Sequence, residues 1–562
     1  MTSSRAPTGR ETSAPGKEPS DAALGSQSPH NPSPEGASQM PETWITVTVG
    51  DLATEVRYGS SAKTSSDPRG VPVLRMGNLV EGKLDLGNLK YLPSDHGEFP
   101  DLFLEPGDVL FNRTNSAELV GKTAVYRGIP SPCSFASYLI RVRLEGAMSE
   151  WLSYYLNSPF GRSQINAVVS QQVGQANVNG TKLRAFQFTL PPLAEQRRIV
   201  AKIEELFSEL DAGEESLRRA RRQLGVYRQS LLKQAFEGKL TEQWRKQNPH
   251  LLESPDQLLK RIQAERQARY KEQLEAWPAA VKKWEKYGRK GKKPSSPREP
   301  KFVPPIDKEI ESQLPGLPNS WCWGTTEHTC DVVRGGSPRP AGSPTFYDGD
   351  IPFLKVADLT RVEGPYVDSF TSTIKEAGLQ KTRYIEPPVL MISNSGATLG
   401  VPRICRIAAT FNDGIAAFFD LSPETHAYYY YFWTSKTEAL RNIDQGAAQP
   451  NLNTDLLKTY PIPLCSLPEQ QEIVRLLDEQ FTVIEQNERE IDAALKRSAA
   501  LRQSILKKDF TGQLVPQDPA DEPASALLER IRMERTGLTK PGRKATSQAS
   551  GPSVQSVVRK SS

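Results

Sequence analysis

Two stretches of the chain carry apolar or small residues at alternating spacings of three and four. In the first, Ile203, Leu206, Leu210, Gly213, Leu217, Ala220, Leu224, Tyr227 and Leu231 fall on one stripe. In the second, Leu477, Gln480, Ile484, Asn487, Ile491, Ala494, Ser498, Leu501 and Ile505 do the same. This period predicts two long helices, each with a coiled-coil seam. Polar Gln480, Asn487 and Ser498 lower the stability of such a seam while fixing its register and partner. Pro191-Pro192 and Pro468 mark the helix starts, and Gly238 and Gly512 stand where the C-termini are capped. A helix over 194–236 is about 60 Å long at 1.5 Å per residue. Two such helices in one chain most simply pack on each other; the alternative is that each packs on its own domain.

The segments in front of the helices, 41–190 and 314–464, are patterned differently. Short apolar runs at 71–76, 108–111 and 136–144 read as strands between frequent Gly and Pro turns. Residues 151–157 and 428–433 read as aromatic helix faces. The run Tyr428-Tyr429-Tyr430-Tyr431-Phe432-Trp433 suggests base stacking, but its counterpart at 151–156 has the same helical setting, which favours core packing. Each front is an α+β globule of ordinary domain size.

The chain is a tandem repeat. Leu193-Ala194-Glu195-Gln196 matches Leu467-Pro468-Glu469-Gln470 at an offset of 274 residues, which holds without a gap to Phe236, Gly238, Leu240 against Phe510, Gly512, Leu514. Of the 51 positions from 190 to 240, 18 are identical, too many for two unrelated charged helices. Gln175, Asn177 and Asn179 match Gln449, Asn451 and Asn453. Further upstream the match is looser: Val71-Pro72-Val73-Leu74-Arg75 against Ile351-Pro352-Phe353-Leu354-Lys355, and Trp44 against Trp321. Each unit thus has a variable front and a well-matched back.

Composition narrows the class. With 562 residues the chain needs several cores. At 24% charged and a mean hydropathy of −0.52, with no apolar run near the ~20 residues that span a bilayer, it reads as a soluble, cytoplasmic protein with no membrane partner. The net charge of +5 permits nucleic-acid binding without demanding it. Five scattered cysteines without a C-x-x-C fit packed thiols in a reduced compartment. The stretch at 250–286 is a charged helix ending in the basic run Arg289-Lys290-Gly291-Lys292-Lys293-Pro294, a linker by composition.

Two similar globules carried by a pair of long helices form a ruler. If the helices run antiparallel, a pseudo-two-fold axis relates the globules, and duplex DNA has the same dyad. Two different fronts then read two different half-sites, giving an asymmetric bipartite site. The search for chemistry returns little. Gly121-Lys122-Thr123 lacks the earlier glycine of a phosphate loop, and there is no H-E-x-x-H, no Asn-Pro-Pro-aromatic motif and no glycine-rich S-adenosylmethionine loop. Scattered carboxylates single out no nuclease.

At this point the chain resembles one family, the type I restriction-modification specificity (S) subunits, or HsdS family. The resemblance covers residues 44–535. It rests on Leu190-Pro191-Pro192-Leu193-Ala194-Glu195-Gln196 with Ile199-Val200, on 463–470 with Ile473-Val474, and on the endings at 229–240 and 503–514. Pro106-Gly107-Asp108-Val109-Leu110 is similar to the family's G-D-[IV]-L strand. Val173-Gly174-Gln175-Ala176-Asn177-Val178-Asn179 is similar to its loop before the spacer helix; the second copy departs as Gly446-Ala447-Ala448-Gln449-Pro450-Asn451, which puts equivalent contacts by the two loops in doubt.

The resemblance implies an α+β protein of two target-recognition domains separated by two long antiparallel coiled-coil spacer helices in a pseudo-two-fold tandem repeat. The expected division is a disordered tail at 1–40, the first recognition domain at 41–190, a spacer helix at 191–245 and a charged helix with basic linker at 246–313. The second recognition domain follows at 314–464, the second spacer at 465–515, a short helix at 516–535 and a disordered tail at 536–562. The implied partners are double-stranded DNA, two methyltransferase (M) subunits and restriction (R) subunits. S-adenosylmethionine, ATP and magnesium are then cofactors of those partners, and this chain binds none and catalyses nothing.

Base edges are read best by Arg or Lys on guanine and by Asn or Gln on adenine, while phosphate contacts position the protein. In the first front the candidates are Arg75 and Asn78 after a strand, and Arg113, Thr114 and Asn115 after 108–111; Lys122 and Arg141 are candidate phosphate contacts. In the second they are Lys355, Asp358, Ser393, Asn394, Ser395 and Asn412. Asn, Asp and Ser after strands are also ordinary turn residues. Two rival readings stay open: a coiled-coil scaffold without DNA recognition, and a fused restriction-modification enzyme, for which no segment is left to hold the catalytic domain.

Overall fold

A computed structural model describes residues 41–116, 119–172, 175–286, 293–396, 398–442 and 452–538. The tail at 1–40, residues 539–562, most of the basic run and the loop segments Val173-Gly174 and 443–451 lie outside the described residues. The chain divides into two compact units, residues 1–208 with 500–562 and residues 209–499.

The first unit holds the first globule. A four-stranded antiparallel sheet runs in the order Ala53–Tyr58, Leu139–Leu144, Val109–Asn112, Thr123–Val125. Beside it, Val71–Leu74 lies between Ser134–Phe135, which is parallel to it, and Lys90–Leu92. The four residues of Val109–Asn112 are all buried, as a central strand covered on both faces requires. The helix Ser149–Asn157 packs Trp151 against Trp44 and Phe510.

The second unit repeats this plan. Its sheet runs Asp331–Arg334, Ile415–Phe419, Val389–Ser393, Pro402–Cys405, Tyr366–Val367, and Tyr347–Leu354 pairs parallel with Ala409–Phe411. The helix His426–Arg441 buries Tyr428, Tyr429, Tyr431, Phe432 and Trp433 in the core, so the aromatic run is packing and offers no stacking platform.

The well-matched motif has a mechanical meaning. In the first unit, the short strand Ile45–Thr48 pairs with Gln187–Leu190, which leads into the helix Leu193–Phe236. Trp44 Nε1 donates to Glu195 Oε2 at 2.9 Å, and Gln196 Nε2 to the Pro191 carbonyl at 2.8 Å. In the second unit, Cys322–Thr325 pairs with Pro461–Leu464, which leads into Leu467–Asp509. There Trp321 Nε1 donates to Glu469 Oε2 at 2.9 Å, and Gln470 Nε2 to the Cys465 carbonyl at 2.9 Å. The glutamate ties the start of the globule to the start of its helix, and the glutamine closes the exit turn. Gly238 and Gly512 both take φ 71°, the left-handed cap expected of them.

Within the second unit the two long helices lie side by side and antiparallel. Glu214 accepts from Ser498 at 2.7 Å, Arg221 pairs with Asp492 at 2.7 Å and Arg228 with Glu488 at 3.4 Å, so partner numbers fall as residue numbers rise. Ile484 and Ile491 are buried, and Leu210, Leu217 and Leu224 are half-buried. The end of each helix next to a globule is covered, with Ile203, Leu231, Leu477 and Ile505 all buried.

One side of the expected seam is out of phase. Leu501 is 50% exposed and Asn487 is exposed, whereas Phe481 is buried under the Arg228 guanidinium, 4.8 Å from its ring centroid. Asn487 and Ala494 instead border an open groove. The final helix, Ala524–Leu538, seats Ile531 beside Gly146 and runs three residues into the segment expected to be tail.

Candidate nucleic-acid interface

In the first globule the ends of three strands converge. Arg75 follows Val71–Leu74 and donates Nη2 to the Asn88 carbonyl at 3.2 Å. Arg113 follows Val109–Asn112; its guanidinium lies over the Tyr58 ring at 5.0 Å and donates Nη1 to the Ser137 carbonyl at 3.4 Å. Thr114 and Asn115 pair with Asn177 and Ala176 of the loop before the long helix. Asn115 sits at φ 147°, well beyond the left-handed helical range that asparagine commonly adopts, and its Nδ2 reaches Met76 Sδ at 3.3 Å. Arg75, Arg113, Thr114 and Asn115 are thus brought together, all half-buried, with Tyr58 added by the fold. Lys122 is half-buried in the turn before Thr123–Val125.

In the second globule the equivalent strand ends bring together Lys355, Ser395 and Asn412. Lys355 is exposed, Ser395 and Asn412 are half-buried, and the Asn412 Oδ1 has no hydrogen-bond partner. Lys355 and Asn412 line a cleft of about 340 Å³ together with Ser337, Arg339 and Asp413, which sequence reasoning missed. The signal for them was weak: they stand in aperiodic loops, next to Gly335-Gly336 and just after the strand Ala409–Phe411. Burial works to raise the Asp413 carboxyl, but the Ser337 hydroxyl, its own backbone N–H and the charges of Arg339 and Arg334 outweigh it and hold it below the ordinary aspartate range. Asn394 is fully buried, and neither its Oδ1 nor its Nδ2 has a partner.

Besides Asn394, four more candidates are buried away from solvent. Asn78 is 3% exposed: its Oδ1 accepts from the Arg75 backbone N–H at 2.9 Å and its Nδ2 donates to the Asp85 carbonyl at 2.8 Å. Asp358, fully buried, does the same for Lys355 N at 2.8 Å and accepts from Thr371 Oγ1 at 2.7 Å. Both side chains hold a turn rather than face solvent. Ser393, also fully buried, donates to the Thr398 carbonyl at 2.6 Å. Arg141, 1% exposed, spends its guanidinium on Glu55 at 2.6 Å and the Phe103 carbonyl at 2.7 Å, and is an internal ion pair instead of a phosphate contact. Among the described residues no group of three His, Cys, Asp or Glu is arranged to hold a metal ion, and no helix is long and apolar enough to cross a membrane.

Fold and tips together define a protein with two copies of one domain, alike in framework and unlike where three strands end. The family model for the type I restriction modification DNA specificity domain matches residues 41–217 and again 330–497, more than half of the chain. The chain belongs to that family. It is 32% identical over 229 residues to the type I restriction enzyme StySPI specificity subunit of Salmonella potsdam, covering 40% of this chain and 50% of that protein. To the EcoKI specificity subunit of Escherichia coli (strain K12) it is 33% identical over 223 residues, 39% of this chain and 48% of that one. These matches span about half the length of the two relatives. A weaker likeness to the EcoBI specificity subunit of Escherichia coli, 24% over 520 residues, covers 89% of this chain and 94% of that protein. A chain solved in work on complex assembly and conformational transition of the type I R-M system shares the fold, with a TM-score of 0.58 at 19% identity, covering 84% of this chain and 99% of that one.

Proposed function

We propose that this chain is the specificity subunit of a type I restriction-modification assembly and that it binds an asymmetric, bipartite site in double-stranded DNA. Each globule is a target-recognition domain that reads one half-site with the side chains at its strand ends. The two long helices act as antiparallel coiled-coil spacers that set the gap. Two methyltransferase subunits dock on this scaffold to methylate an adenine in each half, and restriction subunits join to cleave unmethylated DNA. S-adenosylmethionine, ATP and magnesium belong to those partners; this chain is non-catalytic and works in the cytoplasm.

One observation carries the reading: a DNA specificity domain occurs twice, with the framework kept and the tips changed. Where the first globule has Arg113, the backbone register of the second places Asn394. A scaffold without a reading role gives no reason for such divergence at one place. The test is to map methylated adenines across the genome with and without this gene. The expected result is a two-part motif with an unspecified gap that disappears with the gene. Methylation unaffected by the deletion, in cells shown to make the partner subunits, would refute the proposal.

A further inference from the structure

In the second globule, the loop after Asp331–Arg334 carries Ser337 and Arg339 to one carboxylate. Ser337 Oγ donates to Asp413 Oδ1 at 2.6 Å, and Arg339 Nη2 to Asp413 Oδ2 at 3.3 Å. Arg334 Nε donates to the Asp413 carbonyl at 2.6 Å, which fixes the backbone that holds the carboxylate. The Arg339 side chain is 70% exposed, so most of its donor fork faces solvent at the mouth of the cleft shared with Lys355 and Asn412. An exposed ion pair of this kind contributes little to stability. What Asp413 does is hold one edge of a planar guanidinium, so that the other edge is aimed before any ligand arrives.

The first globule shows what that position is for. Ala136 N donates to the Leu74 carbonyl as Asn412 N donates to the Leu354 carbonyl, so Ser137 and Asp413 are equivalent. Arg113 rests on the Ser137 carbonyl, and Arg339 on the Asp413 carboxylate. The turn therefore carries arginine in both globules, delivered from different strand ends: Arg113 alone in the first, and in the second Arg334 on the Asp413 carbonyl and Arg339 on its carboxylate, with Asn394 where Arg113 stands.

We infer that Arg339, aimed by Asp413, is a specificity-determining residue of the second globule and reads a guanine in its half-site. Guanine offers O6 and N7 as paired acceptors in the major groove, which the planar arginine fork matches with two parallel hydrogen bonds. Lys355, exposed beside it, suits a neighbouring phosphate. This rests on the proposal that the second globule is a DNA-reading domain.

The test uses the chain in complex with its methyltransferase subunits and a duplex carrying the wild-type motif, with 7-deazaguanine replacing each guanine of the second half in turn. One replacement should weaken wild-type binding about five- to hundredfold and leave Arg339→Ala unaffected, while replacements in the first half act equally on both proteins. The inference is overturned if no replacement separates wild type from Arg339→Ala. If the motif has no second half, it is the DNA-reading proposal that fails.

Discussion

The two units use the same glutamate in different company. Glu469 accepts from Trp321, from Thr241 Oγ1 at 2.7 Å and from Arg245 at 2.6 Å. Glu195 accepts from Trp44 and the Gln517 amide and, among the described residues, pairs with no arginine; the nearby Arg198 pairs with Asp521. At the position of Ala235 in one repeat the other has Asp509, fully buried, with neither carboxylate oxygen hydrogen-bonded. Burial therefore keeps the Glu195 carboxyl above its usual range, and burial followed by the charge of Glu195 pushes Asp509 up to about 8. In one unit the buried Glu469 meets a cation; in the other Glu195 meets none, and burial favours the protonated form of its neighbour Asp509. Framework sites are thus held by geometry, and their charge balance has drifted independently in the two copies.

The contrast predicts unequal damage. Glu469→Ala leaves Arg245 buried without its partner and should cost about 3–5 kcal/mol. Glu195→Ala strands only an indole and an amide N–H and should cost ~1–2 kcal/mol. Urea denaturation of the two variants measures this, and equal losses would remove Arg245 as the difference.

A second prediction concerns pH. The unfolded chain titrates Asp509 near 4 and the folded chain near 8. The folded state thus binds the extra proton between those values, and stability present below about pH 4 is lost as pH rises through 8. Asp509→Asn, neutral throughout, should be more stable than wild type by a few kcal/mol, on the order of 2–4, at pH 9. The two should converge at pH 4. Parallel melting curves over that range would show that Asp509 carries no such proton.

The smallest effect belongs to the tips. Arg113→Ala should weaken cognate binding by ~1–3 kcal/mol, while Lys122→Ala lowers affinity slightly and equally for all sequences, with a shallower salt dependence. Unchanged cognate affinity in Arg113→Ala, measured by titration of labelled duplex, would take Arg113 out of the reading set.

The long helices, their capping glycines and the paired fronts were legible because their signals are local and repeated. The phase of the second seam was not: 480, 487, 494 and 501 fit a heptad as well as 481, 488, 495 and 502, and it takes the burial of Phe481 under Arg228 to decide between them. The same register returns in the first unit, where Arg502 lies 5.1 Å from the Phe207 centroid. The tips were half legible. Arg75, Arg113 and Lys355 do reach the strand ends, but a polar residue after a strand reads alike whether it faces solvent or, as Asn78 and Asp358 do, turns inward to hold the backbone. Arg339 and Asp413 escaped notice because their link is long-range and crosses two loops without periodicity.

Gly59 and Gly335 hold equivalent places, each with a carbonyl oxygen 2.2 Å from where a methyl group would sit, those of Phe135 and Asn412 respectively. Two backbones are pressed together there, a few residues from the divergent ends, and no other amino acid fits without parting them. This pinch works as a collar: substitutions beyond it leave the contact between the two backbones, and the sheet beneath, in place. The rim can then vary by substitution alone, while the glycine itself stays closed to it.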